Sequence, residues 1–226
     1  MRVCLIFRGE NVREKHPNDT NRKYIDILMC WNNIQKTMID DLRNQGHSCD
    51  IAFVTYPTVI IEEIQTKISP NYLLLHEKFN QSTNFKDVVS FMRDHQQEYD
   101  RFVILRCDFR YRIPITKWPK WQENGIFLVN RDVHWPTDKL YSDIIFIVDS
   151  PELEVFSTAF EESLGETIHG LGQYLYYHHH PFHLLYDGYY HLDKHPLHAF
   201  APIEQEEPDL ENPLVFEPIT DISQWN

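Results

Sequence analysis

The chain has 226 residues, a 42% hydrophobic share and a formal net charge of −13 at pH 7. That length suits one generous domain or two small ones, and that apolar share excludes a disordered or fibrous chain. Residues 201–226 hold seven acids and no base, leaving 27 acids against 21 Lys and Arg elsewhere, or −6, which excludes a general nucleic-acid binder.

Val3-Cys4-Leu5-Ile6-Phe7 is a continuous apolar run, the pattern of a strand covered on both faces. A polar loop without periodicity follows, Arg8 to Arg22. From Tyr24 to Asn44 apolar residues recur at Ile27, Trp31, Ile34, Met38 and Leu42, a helical stripe closed by Gly46. Ile51 to Val54 predicts a second strand, Thr58 to Ile68 a short helix and Tyr72 to Leu75 a further strand. Asn84 with Asp87 three residues on resembles a capping box, opening a helix with Phe85, Val88, Val89 and Met92 on one side. Phe102 to Leu105, Gly125 to Val129 and Ile144 to Val148 read as strands. Ser150 caps, and Pro151 starts, a helix carrying Leu153, Phe156, Ala159 and Phe160. A short helix over 168–177 precedes a His/Tyr-rich stretch.

Strands alternating with helices predict an α/β fold, a central mostly parallel sheet flanked by helices, in a single domain over 1–200. The tail, 201–226, is acidic and Pro-rich and reads as extended. No apolar run is long enough to cross a bilayer, and the first residues read as a strand rather than a leader. Cys4, Cys30, Cys49 and Cys107 form no CxxC pair. They read as free thiols of a reducing compartment, so a cytoplasmic location is expected and the sequons at Asn18 and Asn80 are chance matches.

In open α/β sheets ligands bind beyond the carboxyl ends of the strands, and four such ends carry unusual polar residues. The first is Arg8-Gly9-Glu10-Asn11-Val12-Arg13, where Gly9 allows a close backbone approach and Arg8 and Arg13 suit phosphate oxygens; a solvated turn is an equal reading. It is neither a Walker A loop nor a GxGxxG. The second is Arg106-Cys107-Asp108-Phe109-Arg110, within a stretch, 101–120, of six bases and one acid. Asp108 suits a divalent cation and Arg106 and Arg110 a diphosphate; an Arg106–Asp108 structural ion pair is the bland alternative. The third places Asp132 and His134 on one side of an extended segment, as a metal or acid/base pair, although a surface loop is the commoner outcome. The fourth is Tyr141-Ser142-Asp143, where a lone Asp is usually a turn or cap residue. His178 to His180 and the later histidines lack any HExxH or regular Cys/His spacing, which speaks against zinc catalysis. Asp40-Asp41 reads as a solvated helix face.

These pieces in this order resemble a group of GT-A-like glycosyltransferases that includes polysaccharide-biosynthesis enzymes and glycosyltransferases of large algal viruses, the chlorella viruses. The resemblance rests on the first strand ending Arg-Gly-Glu-Asn-x-Arg, on Asp50 to Tyr56, on Tyr99-Asp100-Arg101-Phe102-Val103-Ile104-Leu105-Arg106-Cys107-Asp108-Phe109 and on Ser142-Asp143-Ile144-Ile145-Phe146, and spans residues 1–180. It implies a GT-A-like fold and transfer of a sugar from a nucleotide-diphosphate donor, such as a UDP- or GDP-sugar, to a glycan hydroxyl, often with Mn²⁺ or Mg²⁺. By position, Arg8, Gly9 and Arg13 would border the nucleotide and diphosphate, Tyr56 would stack on the base, Asp108 would hold the metal and Asp143 would lie near the acceptor. The family's Asp-x-Asp triplet is missing, so His134 or Asp132 would complete the metal site, or Arg106 and Arg110 would replace part of its charge. For an inverting reaction Asp143, then Asp132, is the candidate general base. Two other readings stay open: a non-catalytic nucleotide-sugar or glycan-binding module, and a metal-dependent phosphoesterase built on Asp108, Asp132 and His134.

Overall fold

Strand β1 (Arg2–Gly9) sends alternate side chains into two different cores. Val3, Leu5 and Phe7 enter one; Cys4 and Ile6 enter the other, and all five are fully buried. With a side-chain period of two, only a strand sandwiched between layers buries every residue of an apolar run. The described residues are 1–14, 24–77, 80–107, 109–111, 113–129, 131–132, 141–163, 168, 170–185, 189–191, 201–202 and 216–218 of a computed structural model.

The remaining strands, in chain order, are β2 (Val12–Glu14), β3 (Tyr24–Asp26), β4 (Ser48–Thr55), β5 (Tyr72–Leu75), β6 (Arg101–Arg106), β7 (Phe109–Tyr111), β8 (Ile126–Leu128), β9 (Arg131–Asp132), β10 (Ile145–Asp149), β11 (His183–Leu184), β12 (Tyr189–His191), β13 (Ala201–Pro202) and β14 (Phe216–Pro218). Seven form the main sheet in the order β11-β8-β10-β6-β1-β4-β5. β1 pairs parallel with β4 and β6, β4 with β5, and β11 with β8, so the mostly parallel, helix-flanked sheet is as the sequence predicts. β10 departs from it, running antiparallel between β6 and β8.

One helical layer is the stretch 27–44 with the short helical stretch 61–68; Ile27, Ile34, Met38 and Leu42 of the predicted stripe are fully buried there. The other is formed by helices Gln81–Asp94, Leu153–Glu162 and Gly170–Tyr177, which bury Phe85, Val88, Phe156 and Leu175 among others. Each buried Phe or Leu contributes about 1.5–3 kcal/mol. Gly46 ends the first helix at φ +79°, a conformation that glycine adopts without penalty.

Several local expectations are corrected. The helix predicted from Tyr24 starts at Ile27, because Tyr24–Asp26 pairs with β2, which itself lies inside the predicted loop. Asn84 is not a cap: helix Gln81–Asp94 opens at Asn80, whose side chain accepts from the Thr83 amide at 3.0 Å, while Asn84 is fully buried and donates to the Val54 carbonyl at 3.0 Å. Ser150 does not cap either; its hydroxyl donates to the Tyr99 carbonyl, and Pro151 sits in a 3₁₀ turn, Ser150–Glu152. Asp41 is a tether, accepting the Thr116 amide at 2.9 Å, rather than a solvated face. In the tail, β13 pairs with β12 and β14 with β7. No helix among the described residues is long and apolar enough to cross a membrane.

Candidate functional site

The chain leaves β1 toward β4 and β5 on one side and returns through β6 on the other, so β1 and β6 flank a switch point of the sheet. Beyond the carboxyl ends of such a pair lies the crevice where α/β sheets bind ligands. Here those ends are Arg8-Gly9 and Arg106, which sit side by side in register, Arg8 opposite Arg106.

Both arginines converge on Asp143. Arg8 donates to the Asp143 backbone carbonyl and, at 3.0 Å, to Oδ2; Arg106 reaches Oδ1 at 3.5 Å. Gln81, in the first turn of helix Gln81–Asp94, donates from Nε2 to Oδ2 at 2.5 Å. The antiparallel course of β10 makes this possible. A strand with Ile145 opposite Leu105 and Asp149 opposite Arg101 receives its preceding residues, Ser142 to Ile144, at the carboxyl end of β6. A parallel strand would have delivered Asp143 to the opposite end of the sheet.

Burial separates the two guanidiniums. The Arg8 side chain is 1% exposed and lies over the Phe85 ring at 5.1 Å, whereas Arg106 is 15% exposed and lies over Phe109 at 5.2 Å. Buried charges require partners, and the Arg8–Asp143 pair with its amide donor supplies them. A second buried pair, Arg101 on Asp149 at 2.6 and 2.9 Å, closes the other end of the sheet. There Arg101 also donates to the Trp121 and Glu123 carbonyls, and Gly125 N donates to Asp149 at 2.8 Å. That arrangement is a fixed brace.

The rest of the crevice is framed by hydrogen bonds to main chain. Thr55 Oγ1 donates to the Gly9 carbonyl at 2.6 Å, and Asn11, 1% exposed, donates to the Tyr56 carbonyl at 3.2 Å and accepts from Thr58 at 2.8 Å. Gly9 takes φ +85°, and a Cβ there would meet nothing within 4 Å, so the glycine is required by conformation rather than by space. Tyr56 is 7% exposed, with its ring edge-on to His76 at 6.1 Å. Burial raises its hydroxyl pKa, against the lowering effect of a backbone hydrogen bond from Asn80 and of Arg8.

The predicted site residues are only partly brought together. Arg8, Gly9, Tyr56, Arg106 and Asp143 meet at this end of the sheet. Arg106 reaches across to Asp143, among the residues before β10; the Arg106–Asp108 alternative involves a residue outside the described ones. Asp108 and His134 lie outside the described residues, and Arg13, Arg110 and Asp132 are described as strand backbone only, in β2, β7 and β9. Among the described residues no group of three His, Cys, Asp or Glu side chains comes together. The one described crevice carboxylate bound by these arginines, Asp143, is engaged by two cations and an amide. The positive charge that meets Asp143 is the arginines' own; the side chains expected to hold a metal, those of Asp108, Asp132 and His134, lie outside the described ones.

Gln81, Asn80 and His76 were missed by sequence reasoning. His76 follows β5 directly, and its amide extends the ladder to the Thr55 carbonyl at 2.7 Å, which puts the imidazole at the same carboxyl edge as Gly9. A polar residue directly after a predicted strand was the available signal. The later histidines form a ring stack: Tyr174 and His178 lie 4.0 Å apart at 18°. Comparison with protein-family models gives no match, and comparison with curated proteins gives none either.

Proposed function

We propose that the chain is a glycosyltransferase that moves a sugar from a nucleoside-diphosphate-sugar donor to a glycan hydroxyl. One observation carries the reading: two arginines, Arg8 and Arg106, converge at the switch-point crevice of a mostly parallel sheet, held there by Asp143. The order of sequence motifs that resembles the GT-A-like enzymes supports it, because the Arg8-Gly9, Arg106 and Asp143 segments of that resemblance meet in space. In transfer, the sugar–oxygen bond to the diphosphate breaks and negative charge grows on the leaving group. A preorganised guanidinium facing that charge in a partly dry crevice lowers the barrier most. Arg106, at the mouth, contacts the diphosphate; Arg8, beneath it, fixes Asp143 and adds field.

Asp143 is better suited to holding the arginines than to taking a proton, because its carboxylate already accepts from three donors. That engagement favours, as a second reading, a module that binds a nucleotide sugar without turning it over. The test is a panel of UDP- and GDP-sugars, with and without Mn²⁺, read by thermal shift and by release of free nucleoside diphosphate. A shift with one donor plus acceptor-stimulated release supports the transferase. A shift without release in the presence of glycan acceptors supports the binding module, and no shift with any donor overturns both. Arg106→Ala should lose the shift, and Arg106→Lys should restore only part of it, since an ammonium cannot fork onto two oxygens.

A further inference from the structure

With Asp143 clamped, an inverting transfer in this crevice needs another proton acceptor, and the helix that holds Asp143 through Gln81 also holds an oriented imidazole. His76 Nδ1 lies 2.6 Å from Asp87 Oδ2, and Nε2 lies 2.9 Å from the Thr83 hydroxyl. Asp87 and Thr83 both project from the first two turns of helix Gln81–Asp94, the helix that sends Gln81 to Asp143. A carboxylate only accepts, so Nδ1 carries the proton given to Asp87, and in the neutral ring Nε2 is left with its lone pair toward Thr83. Thr83 has a second acceptor for its single proton, the Asn80 carbonyl at 3.1 Å, so its hydroxyl is not committed to His76. The imidazole is 21% exposed, half-buried and still open to solvent.

We infer that His76, oriented by Asp87, is the general base of this crevice, taking the proton of the acceptor hydroxyl at Nε2; the inference rests on the glycosyl-transfer reading above. The acceptor O–H bond breaks as its proton moves to Nε2. The acceptor oxygen forms the new bond to the anomeric carbon, and the carbon–oxygen bond to the diphosphate breaks with its electron pair on the leaving group. The imidazolium then returns its proton to water through its exposed edge. Asp87 is a positioning residue: it fixes the tautomer and stabilises the imidazolium, as an orienting carboxylate does for a catalytic histidine. Among the described residues, the titratable groups facing the ring are Asp87 on the helix and Tyr56 just after β4, whose ring lies 6.1 Å away edge-on, with Glu77 next in the chain.

The test compares full-length wild type with His76→Gln, Asp87→Asn and Thr83→Val. UDP and GDP binding is read by calorimetry, and acceptor-dependent release of nucleoside diphosphate is read across pH. With His76 as base, His76→Gln binds the nucleotide within about twofold of wild type while kcat falls at least about 100-fold. Asp87→Asn lowers kcat by less than His76→Gln and leaves nucleotide binding in place, because the imidazole remains and only its fixed orientation is lost. Thr83→Val keeps kcat within a few-fold. If His76 merely staples the 76–80 segment to the helix, Thr83→Val and His76→Gln lower the thermal midpoint alike and leave kcat and its acid limb in place, which overturns the assignment. Wild-type turnover that His76→Gln does not change overturns His76 alone; absence of any donor binding by wild type overturns the transfer reading and this inference with it.

Discussion

Arg8 and Asp143 lie 135 positions apart in the chain and meet at 3.0 Å with side chains 1% and 2% exposed. They join the end of the first strand to the residues before the antiparallel one. Removing one member of such a pair leaves a buried charge without its counter-ion, which costs about 3–5 kcal/mol. Asp143→Ala should therefore lower the thermal midpoint by roughly 10 °C, using 2–4 °C per kcal/mol for a chain of this size. Arg8→Met should cost less than Asp143→Ala, since the carboxylate it leaves is still held by Arg106 and Gln81. Equal losses in a thermal melt would mean that the pair, not the cluster, sets the stability.

The position of Asp143 also depends on packing one helix away. A Cβ on Gly172 would collide with the Tyr141 ring and approach Leu128 Cδ1 at 2.8 Å, and Tyr141 is buried two residues before Asp143. Gly172→Ala should move the whole ring, with an overpacking cost of about 1–3 kcal/mol despite the better helix propensity of alanine. The measurement is a urea melt alongside UDP and GDP affinity: a stabilised Gly172→Ala, or one with unchanged melting, would show that Tyr141 yields freely.

Asn33 makes a reciprocal pair with one residue of β7, donating to the Tyr111 carbonyl at 2.8 Å and accepting the Tyr111 amide at 2.8 Å. The side-chain amide imitates a neighbouring strand. Asn33→Ala removes both of these hydrogen bonds and should cost about 1–3 kcal/mol, with faster hydrogen exchange localised to the Tyr111 amide. Exchange at Tyr111 unchanged from wild type would remove this role.

How much of this could be read from the chain alone follows from range. β1, β4, β5 and β6 and their covering helices were legible because continuous apolar runs and helical stripes are local signals. The direction of β10 was not, because Ile145 to Val148 reads the same whichever way it pairs. The Arg8–Asp143 and Arg106–Asp143 contacts depend on that direction, so sequence reasoning chose the three residues without foreseeing that they meet. His76 with Asp87 escaped because His76 matches no motif and Asp87 was read as half of a capping box. Their relation appears only when the segment after β5 folds back on the first turns of the next helix.

Asp100 links pH to stability at the far end of the sheet. The Arg2 amide donates to it at 2.7 Å and, with the Arg2 guanidinium at 3.5 Å, holds its carboxyl below the ordinary aspartate range. A lowered folded-state value stabilises the protein above the unfolded-state value, and that contribution is lost as pH falls through the folded one. Since the side chain is 48% exposed, solvent screening limits the effect to within about 1 kcal/mol. Asp100→Asn should lower the thermal midpoint slightly at neutral pH, with the difference beginning to shrink below about pH 4 and vanishing only below the lowered folded-state value. A constant difference across that window would show that the charge is not the source.

Cys4 and Cys49 provide a final check on burial. Both are free thiols, Cys4 fully buried in β1 and Cys49 7% exposed in β4. Burial pushes the Cys49 thiol up to about 12, with Arg43 opposing, and raises Cys4 well above its ordinary value. A thiol attacks only as thiolate, so neither reacts appreciably near pH 8 while folded. Iodoacetamide followed by peptide mass spectrometry should leave both unmodified in native protein and label both in denaturant. Labelling of Cys49 in native protein at the rate of the denatured chain would mean that β4 separates from its neighbours. Because β4 carries Thr55, which binds the Gly9 carbonyl and receives the His76 amide, such opening would also unmake the crevice.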